Sequence, residues 1–154
     1  MHSGSRDTHE PKAIGRTSRG EYHRECGVET VGDIAPLVEG LISAMAASAY
    51  TDEEIFETRL AVEEAVLNAI KHGHGGAPGR EALVRYHVNG RRVLVTVEDQ
   101  GDGSDPERVA DPLASENLHE PGGRGLLLMR SLMTWVRHNR RGNRVALCKR
   151  RHHA

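Results

Sequence analysis

The dipeptide Asn89-Gly90 lies between two strand-forming stretches, Ala82-Leu83-Val84-Arg85-Tyr86-His87-Val88 and Arg92-Val93-Leu94-Val95-Thr96-Val97-Glu98. Asn-Gly in that setting is the strongest short-range signal for a β-hairpin, so the middle of the chain is committed to an antiparallel pair. The flanking segments read as the elements that accompany it. Glu21 to Val28 is a further strand. From Thr30 onward, Ile34, Leu37, Val38, Leu41, Ile42 and Met45 recur at helical spacing, with Asp33 as the expected cap and Pro36 in the first turn. Thr51-Asp52-Glu53-Glu54 opens a second helix, with acidic residues where the helix dipole favours them. It is expected to run to about Lys71, because His72-Gly73-His74-Gly75-Gly76-Ala77-Pro78-Gly79 is a stop signal followed by a loop.

Beyond the hairpin, Asp99-Gln100-Gly101-Asp102-Gly103 ends the second strand in a loop that needs glycine freedom. Residues 105–123 read as a long loop with at most a short helix around Pro106 to Ala110, and long loops in compact domains are usually functional. Gly123-Arg124-Gly125 opens a third helix through Leu126, Leu127, Met129, Leu132 and Met133. Trp135 to His138 and Arg144 to Lys149 are two last strands joined by a turn at Arg141-Gly142-Asn143. The order is β-α-α-β-β-loop-α-β-β, without an internal repeat. It predicts an α+β fold: a two-layer α/β sandwich with a mixed, mainly antiparallel sheet and three helices on one face. Met1 to about Arg19 lacks apolar periodicity and reads as a disordered tail (1–19), which leaves 20–151 as the folded domain.

Composition bounds the function. The 154 residues carry 21 Lys plus Arg against 22 Asp plus Glu, which argues against a broad basic surface for nucleic acid. Aromatics at 3% are too few for base-stacking platforms. Cys26 and Cys148 form no CxxC pair and fit a reducing cytoplasm. The sequence has neither a run of about 18 apolar residues nor an apolar N-terminal segment, so a cytoplasmic location without a membrane span is expected.

Three constellations carry chemistry. Glu64 and Asn68 are four residues apart and stack on one helical face, while Ile55, Val62, Val66, Ala69 and Ile70 fall on the other. A carboxylate there can accept a proton from a hydroxyl, and an amide carbonyl is a hard oxygen ligand suited to Mg²⁺. A solvated helix face is the plain alternative. Asp99-Gln100-Gly101-Asp102-Gly103 is either an ordinary acidic turn or a fixed acceptor for an exocyclic amino group, beside glycines that admit a planar ring. Gly122-Gly123-Arg124-Gly125-Leu126, before an apolar helix, is either a hinge or an anion site built from backbone N–H groups. It is neither the dinucleotide fingerprint nor a P-loop.

Taken together and in this order, the three boxes resemble the GHKL (Bergerat-fold) ATPases over about Glu21 to Lys149. The form Glu64-Ala65-x-x-Asn68-Ala69-x-x-His72-Gly73 is similar to the anti-sigma-factor serine/threonine kinases of that superfamily. The resemblance implies a Bergerat ATP-binding fold using ATP and Mg²⁺. It implies Asn68 as the Mg²⁺ ligand, Glu64 as the base that prepares a serine hydroxyl, and Asp99 as the reader of the adenine amino group. Gly101 and Gly103 would shape the base pocket, and Gly123, Arg124 and Gly125 would cradle the triphosphate. Residues 110–122 would form the ATP lid. The implied partners are a STAS-domain anti-anti-sigma protein as substrate and a sigma factor as client, with a homodimer as a further option and no direct nucleic-acid or membrane contact. A non-catalytic, ATP-dependent protein-binding switch is the alternative; the presence of Glu64 favours the kinase. A structural domain without nucleotide binding is a third reading. The chain departs from the family at a threonine of the last hairpin, for which the nearest aligned position is Arg144.

Two other features stand apart. His72-Gly73-His74 and His152-His153 are close-spaced among ten histidines but lack the ligand clustering of a structural metal site. Arg137, Arg140, Arg141, Arg144, Lys149, Arg150 and Arg151 make the C-terminal hairpin basic, as a solvated face or as a surface for an acidic partner.

Overall fold

A computed structural model describes residues 15–16, 20–73, 80–100 and 121–152. The elements in chain order are β1 (Gly15–Arg16), β2 (Tyr22–Val28), a 3₁₀ turn (Val31–Asp33), α1 (Ile34–Ala47), α2 (Asp52–Asn68), a π turn (Ala69–Gly73), β3 (Ala82–Val88), β4 (Arg92–Glu98), α3 (Pro121–Leu132), β5 (Trp135–His138) and β6 (Arg144–Arg150). The strands form one sheet in the order β1-β2-β3-β4-β6-β5. The expected succession of elements is present. The described strand pairs are all antiparallel, where a mixed sheet was expected, and pairing begins at β1, inside the segment read as a tail.

The sheet buries one face. Val84, Tyr86 and Val88 of β3 and Val93, Val95 and Val97 of β4 alternate with less buried neighbours, and the register puts buried Val145 and Leu147 of β6 on the same face. Against them lie Leu37, Leu41 and Met45 of α1, Val62 and Val66 of α2, and Met129 of α3. Each fully buried Val or Leu contributes about 1.5–3 kcal/mol relative to exposure, so this shared face is the main cohesive term.

The central hairpin is real, but its turn is shifted by one residue. Val88 pairs with Val93, so Gly90 and Arg91 form the turn's centre and Asn89 its corner. Asn89 Oδ1 accepts from the backbone N–H of Arg91 at 2.8 Å and of Arg92 at 2.9 Å, and Asn89 N donates to Arg92 O at 3.2 Å. The side chain thereby supplies the turn's hydrogen bonds, and Gly90 stays outside the left-handed region. The Tyr50 hydroxyl donates to Asn89 O at 2.7 Å, which ties this turn to the α1–α2 connection. In the β5–β6 turn the glycine is required: Gly142 has φ 69°.

Three helix ends differ from expectation. Asp33 makes no cap bond to α1; its Oδ2 accepts from Glu29 N and Thr30 N, both at 3.0 Å, and closes the preceding 3₁₀ turn. α2 keeps regular winding only to Asn68, and the stretch expected to continue to Lys71 is the π turn. α3 starts at Pro121, upstream of the expected Gly123, because proline pre-sets the helical φ and its missing N–H is not needed in a first turn.

Two buried polar groups anchor the layers. Glu54, 2% exposed, accepts from Thr51 N at 2.9 Å and from His152 N at 2.9 Å, while Thr51 Oγ1 accepts from Glu54 N at 3.1 Å. This capping box starts α2 and also holds the C-terminal segment. Lys149, 4% exposed, donates from Nζ to Glu57 Oε2 at 2.9 Å and to the Leu132 carbonyl. It therefore leaves the solvated basic face to which its sequence neighbours assign it, whereas Arg137, Arg140, Arg141, Arg144 and Arg150 are exposed.

Two outcomes follow for stability. Replacing Leu147, 0% exposed, by Ala should destabilise the domain by about 2–5 kcal/mol in urea titration. The same change at Val31, 62% exposed, should cost less than about 0.5 kcal/mol. Burial alone would raise the Glu54 carboxyl, but the Thr51 and His152 backbone N–H groups, the Thr51 hydroxyl and the His152 charge outweigh it and hold it below its ordinary 4.5. The folded pKa is depressed, so this stabilisation is complete above the unfolded value and is lost as pH falls through the folded one. Glu54→Gln should flatten the loss of stability below about pH 4.5. A variant whose acid-unfolding curve keeps the wild-type slope would remove Glu54 from that role.

Candidate functional site

The site grows from the end of α2. Val62 and Val66 are fully buried, and Ala69 and Ile70 nearly so, which turns the opposite side of the helix, with Glu64 and Asn68, outward; both are half-buried. The face separation expected from spacing is therefore present. Asn68 is the last regularly wound residue. The N–H of Ala69 is shared between Ala65 O and Val66 O, and the chain then widens into the π turn. Such turns occur often at functional sites because the extra residue re-aims the side chains beside it.

α3 crosses α2 and places its first turns on Glu64. Gly125 is buried against that side chain: a Cβ added there would overlap Glu64 Oε1 and lie 3.0 Å from its Cγ and Cδ. The third glycine box thus meets the first box directly. Glycine at 125 is a matter of close approach, since any side chain would displace the carboxylate. Because α3 begins at Pro121, the sequence Gly122-Gly123-Arg124-Gly125 forms its first turns and does not precede the helix. The leading N–H groups of any α-helix lack partners within it, so this end of α3 can receive an anion. Arg124 is exposed there.

Asp99 follows β4 directly and is half-buried. Its backbone N–H donates to Asn143 O at 2.8 Å, which fastens this strand end to the β5–β6 turn. Gly101 and Gly103 lie outside the described residues, as do residues 110–120 of the expected lid; Pro121 and Gly122, its last two, belong to α3. The Pro106–Ala110 helix, His74 and His153 also lie outside them. Arg144 pairs with Glu98 across the β4–β6 ladder and is exposed, next to Val145 on the buried face. Its side chain is therefore directed away from the helical layer that carries Glu64 and Gly125.

Sequence reading missed two features. The approach of Gly125 to Glu64 joins distant segments, and only the glycine itself is a local trace of it. A cluster of Glu21, His23 and His87 also went unseen, because it depends on strand register.

The family model described as "histidine kinase-like ATPase domain" matches residues 29–149. The chain is 36% identical over 129 residues to a protein of Bacillus subtilis named serine-protein kinase RsbW, covering 79% of this chain and 78% of the other. It is 34% identical over 121 residues to a Bacillus licheniformis protein of the same name, covering 71% and 70%. A protein of Thermoanaerobacter pseudethanolicus named anti-sigma F factor is 34% identical over 85 residues, covering 54% and 59%.

The Glu64–Gly125 contact has a measurable signature. Ala is favoured over Gly inside a helix by about 0.8–1 kcal/mol. In a Glu64→Ala background, Gly125→Ala should therefore stabilise the chain by about that amount. With Glu64 present, the displaced carboxylate should cancel most of the gain. A double-mutant cycle in urea reads the difference; an effect of Gly125→Ala equal in both backgrounds would contradict the contact.

Proposed function

The chain belongs to the histidine kinase-like ATPase domain family, and from that premise we propose that it is an ATP-dependent protein serine/threonine kinase of the anti-sigma type. Its substrate is a serine hydroxyl on a STAS-domain anti-anti-sigma protein, and its client is a sigma factor. The relatives carry the names serine-protein kinase and anti-sigma factor, which supports both halves of the reading. Among the described residues no helix is long and apolar enough to cross a membrane. That is compatible with action on soluble partners in the cytoplasm.

The observation that carries the proposal is the seating of Gly125 on Glu64. It brings a carboxylate, an amide one helical turn away and the opening turns of a second helix into one place, with the close approach a side chain at 125 would prevent. The donor set fits Mg·ATP. Asn68 would offer a hard oxygen to the cation, the α3 N-terminus with Gly123, Arg124 and Gly125 would hold the phosphates, and Asp99 would accept from the adenine amino group. Bound Mg·ATP would supply the phosphoryl group and screen its charge. Glu64 would take the proton from the attacking serine oxygen, so that the proton ends on the carboxylate. The bond from that serine oxygen to the γ-phosphorus would form as the bond from that phosphorus to the bridging oxygen breaks, and ADP leaves with the bridging oxygen. Transfer of this kind asks a protein mainly for positioning and charge stabilisation, so one base, one oxygen ligand and a backbone cradle form a sufficient set. Gly101 and Gly103 complete the base pocket in this proposal, and residues 110–122 the lid.

Two variants separate binding from chemistry. Wild type should gain about 2.7 kcal/mol at nucleotide 100-fold above Kd, seen as a higher thermal midpoint with Mg·ATP, and Asp99→Asn should lose most of that shift. Glu64→Gln should keep the shift but lose phosphoryl transfer to an anti-anti-sigma protein by about 10²-fold or more. Transfer equal to wild type would remove Glu64 as the base. Nucleotide binding without transfer in wild type would instead establish the non-catalytic switch.

A further inference from the structure

The sheet face turned away from the helices carries a second cluster of chemistry-bearing groups. His23 of β2 and His87 of β3 are directly paired in the antiparallel ladder. Their rings stack with centroids 4.1 Å apart and planes within 8°. Glu21 stands two residues before His23, on the same side of the strand. Its Oε2 lies 3.8 Å from His23 Nε2 and 3.6 Å from His87 Nε2. The three ligand atoms all lie within 4.8 Å of one another.

Contact with water alone does not account for this arrangement. His87 Nε2 is shielded from solvent and makes no hydrogen bond among the described residues. A carboxylate 3.6–3.8 Å away is beyond hydrogen-bond range. Two charged imidazoliums stacked at 4.1 Å would repel, and one carboxylate cannot balance both. Two neutral imidazoles leave the shielded Nε2 of His87 without a partner among the described residues, although exposed His23 can bond water. Two neighbouring arginines are engaged elsewhere: Arg85, two residues along β3, donates to Glu25 Oε2 at 3.2 Å, and Arg24 donates from Nη1 to Pro36 O at 3.4 Å.

A divalent metal ion would give the shielded His87 Nε2 a partner and draw on Glu21 and His23 at once. We propose that Glu21, His23 and His87 form a binding site for a first-row transition-metal ion, Zn²⁺ in the first instance, on the sheet face opposite the helices. Two imidazole nitrogens and one carboxylate oxygen are a donor set suited to Zn²⁺ and leave a fourth position open to water. Metal–ligand bonds of about 2.0–2.1 Å at tetrahedral angles put ligand atoms about 3.3 Å apart. The two carboxylate–nitrogen distances, 3.6 and 3.8 Å, need only a few tenths of an ångström of contraction, and the ligand atoms all lie within 4.8 Å of one another. The rings are stacked with planes 8° apart and a shared ion must lie near both planes, so binding requires the imidazoles to turn out of the stack. Strand pairing already holds their backbones side by side. The site is independent of the proposed nucleotide chemistry. His87 pairs with Leu94, and Asp99 lies five residues further along that chain, about 16–17 Å away along the strand.

The test uses the full chain, stripped with chelator and free of nucleotide, titrated with Zn²⁺ by calorimetry and with Co²⁺ by visible absorption. Wild type should bind one equivalent of Zn²⁺ at this site and give a tetrahedral Co²⁺ spectrum. His23→Gln, at an exposed position where folding is not at risk, should weaken binding at least tenfold. The His23→Gln/His87→Gln pair should abolish the Co²⁺ spectrum, and Glu21→Gln should weaken Zn²⁺ binding while keeping the chain folded by circular dichroism. His152→Gln/His153→Gln should bind as wild type does, and excess Mg²⁺ should not displace Zn²⁺, since it prefers oxygen ligands. Wild-type affinity in the His23→Gln variant, or no saturable binding to wild type, would overturn the proposal.

Discussion

A sheet with one apolar face must be covered on that face, and most of this molecule depends on that constraint. Val84, Val88, Val93, Val95 and Leu147 are without solvent exposure, each on the same side of antiparallel strands. Leaving such a surface wet would forfeit about 25 cal/mol per Å², so α1, α2 and α3 all pack there. Once three helices share one layer, α3 must run close to α2. That proximity brings Gly125 onto Glu64, so that two separate sequence boxes meet in one candidate site. The open face stays free for polar groups, which is where the paired histidines stand.

Buried polar contacts fix how the helices sit on the sheet. Apolar packing is nondirectional and tolerates sliding, whereas a buried carboxylate or ammonium must find its partners or lose several kcal/mol in desolvation. Glu54 meets Thr51 within its own turn and His152 from the far end of the chain. Lys149 reaches from β6 to Glu57 on α2 and to the carbonyl that ends α3. These residues join α2, α3 and the last strand, the elements flanking the candidate site. They set the register on which the distance between Glu64 and Gly125 depends.

Much of the fold was legible because its signals are local. Helical spacing in Ile34 to Met45, the Thr51 capping box, and the strands on either side of Asn89-Gly90 each act over a few neighbours, and each element exists where its pattern lies. The misplaced boundaries share a cause. Asn89 can serve a hairpin as a central residue or as a corner whose side chain accepts backbone hydrogen bonds, and strand register selects the second. Lys149 reads as one more charge in a basic run, and only the strand's alternation turns it inward among the exposed arginines. Gly123-Arg124-Gly125 reads as the opening of the third helix, yet Pro121 starts that helix two residues ahead.

The sequence by itself determined the class of each element and the single layer of helices, and periodicity, capping and turn signals suffice for that, since they are properties of adjacent residues. Glu64, Asn68, Asp99 and Gly125 entered as candidates through the order of the three boxes and the resemblance it carries. Tertiary structure alone decided which groups meet: Gly125 with Glu64, Lys149 with Glu57, His152 with Glu54, and His23 with His87. Those encounters follow from strand register and helix packing. Both are set by the burial of the whole core, a sum over distant residues that no short stretch of sequence contains.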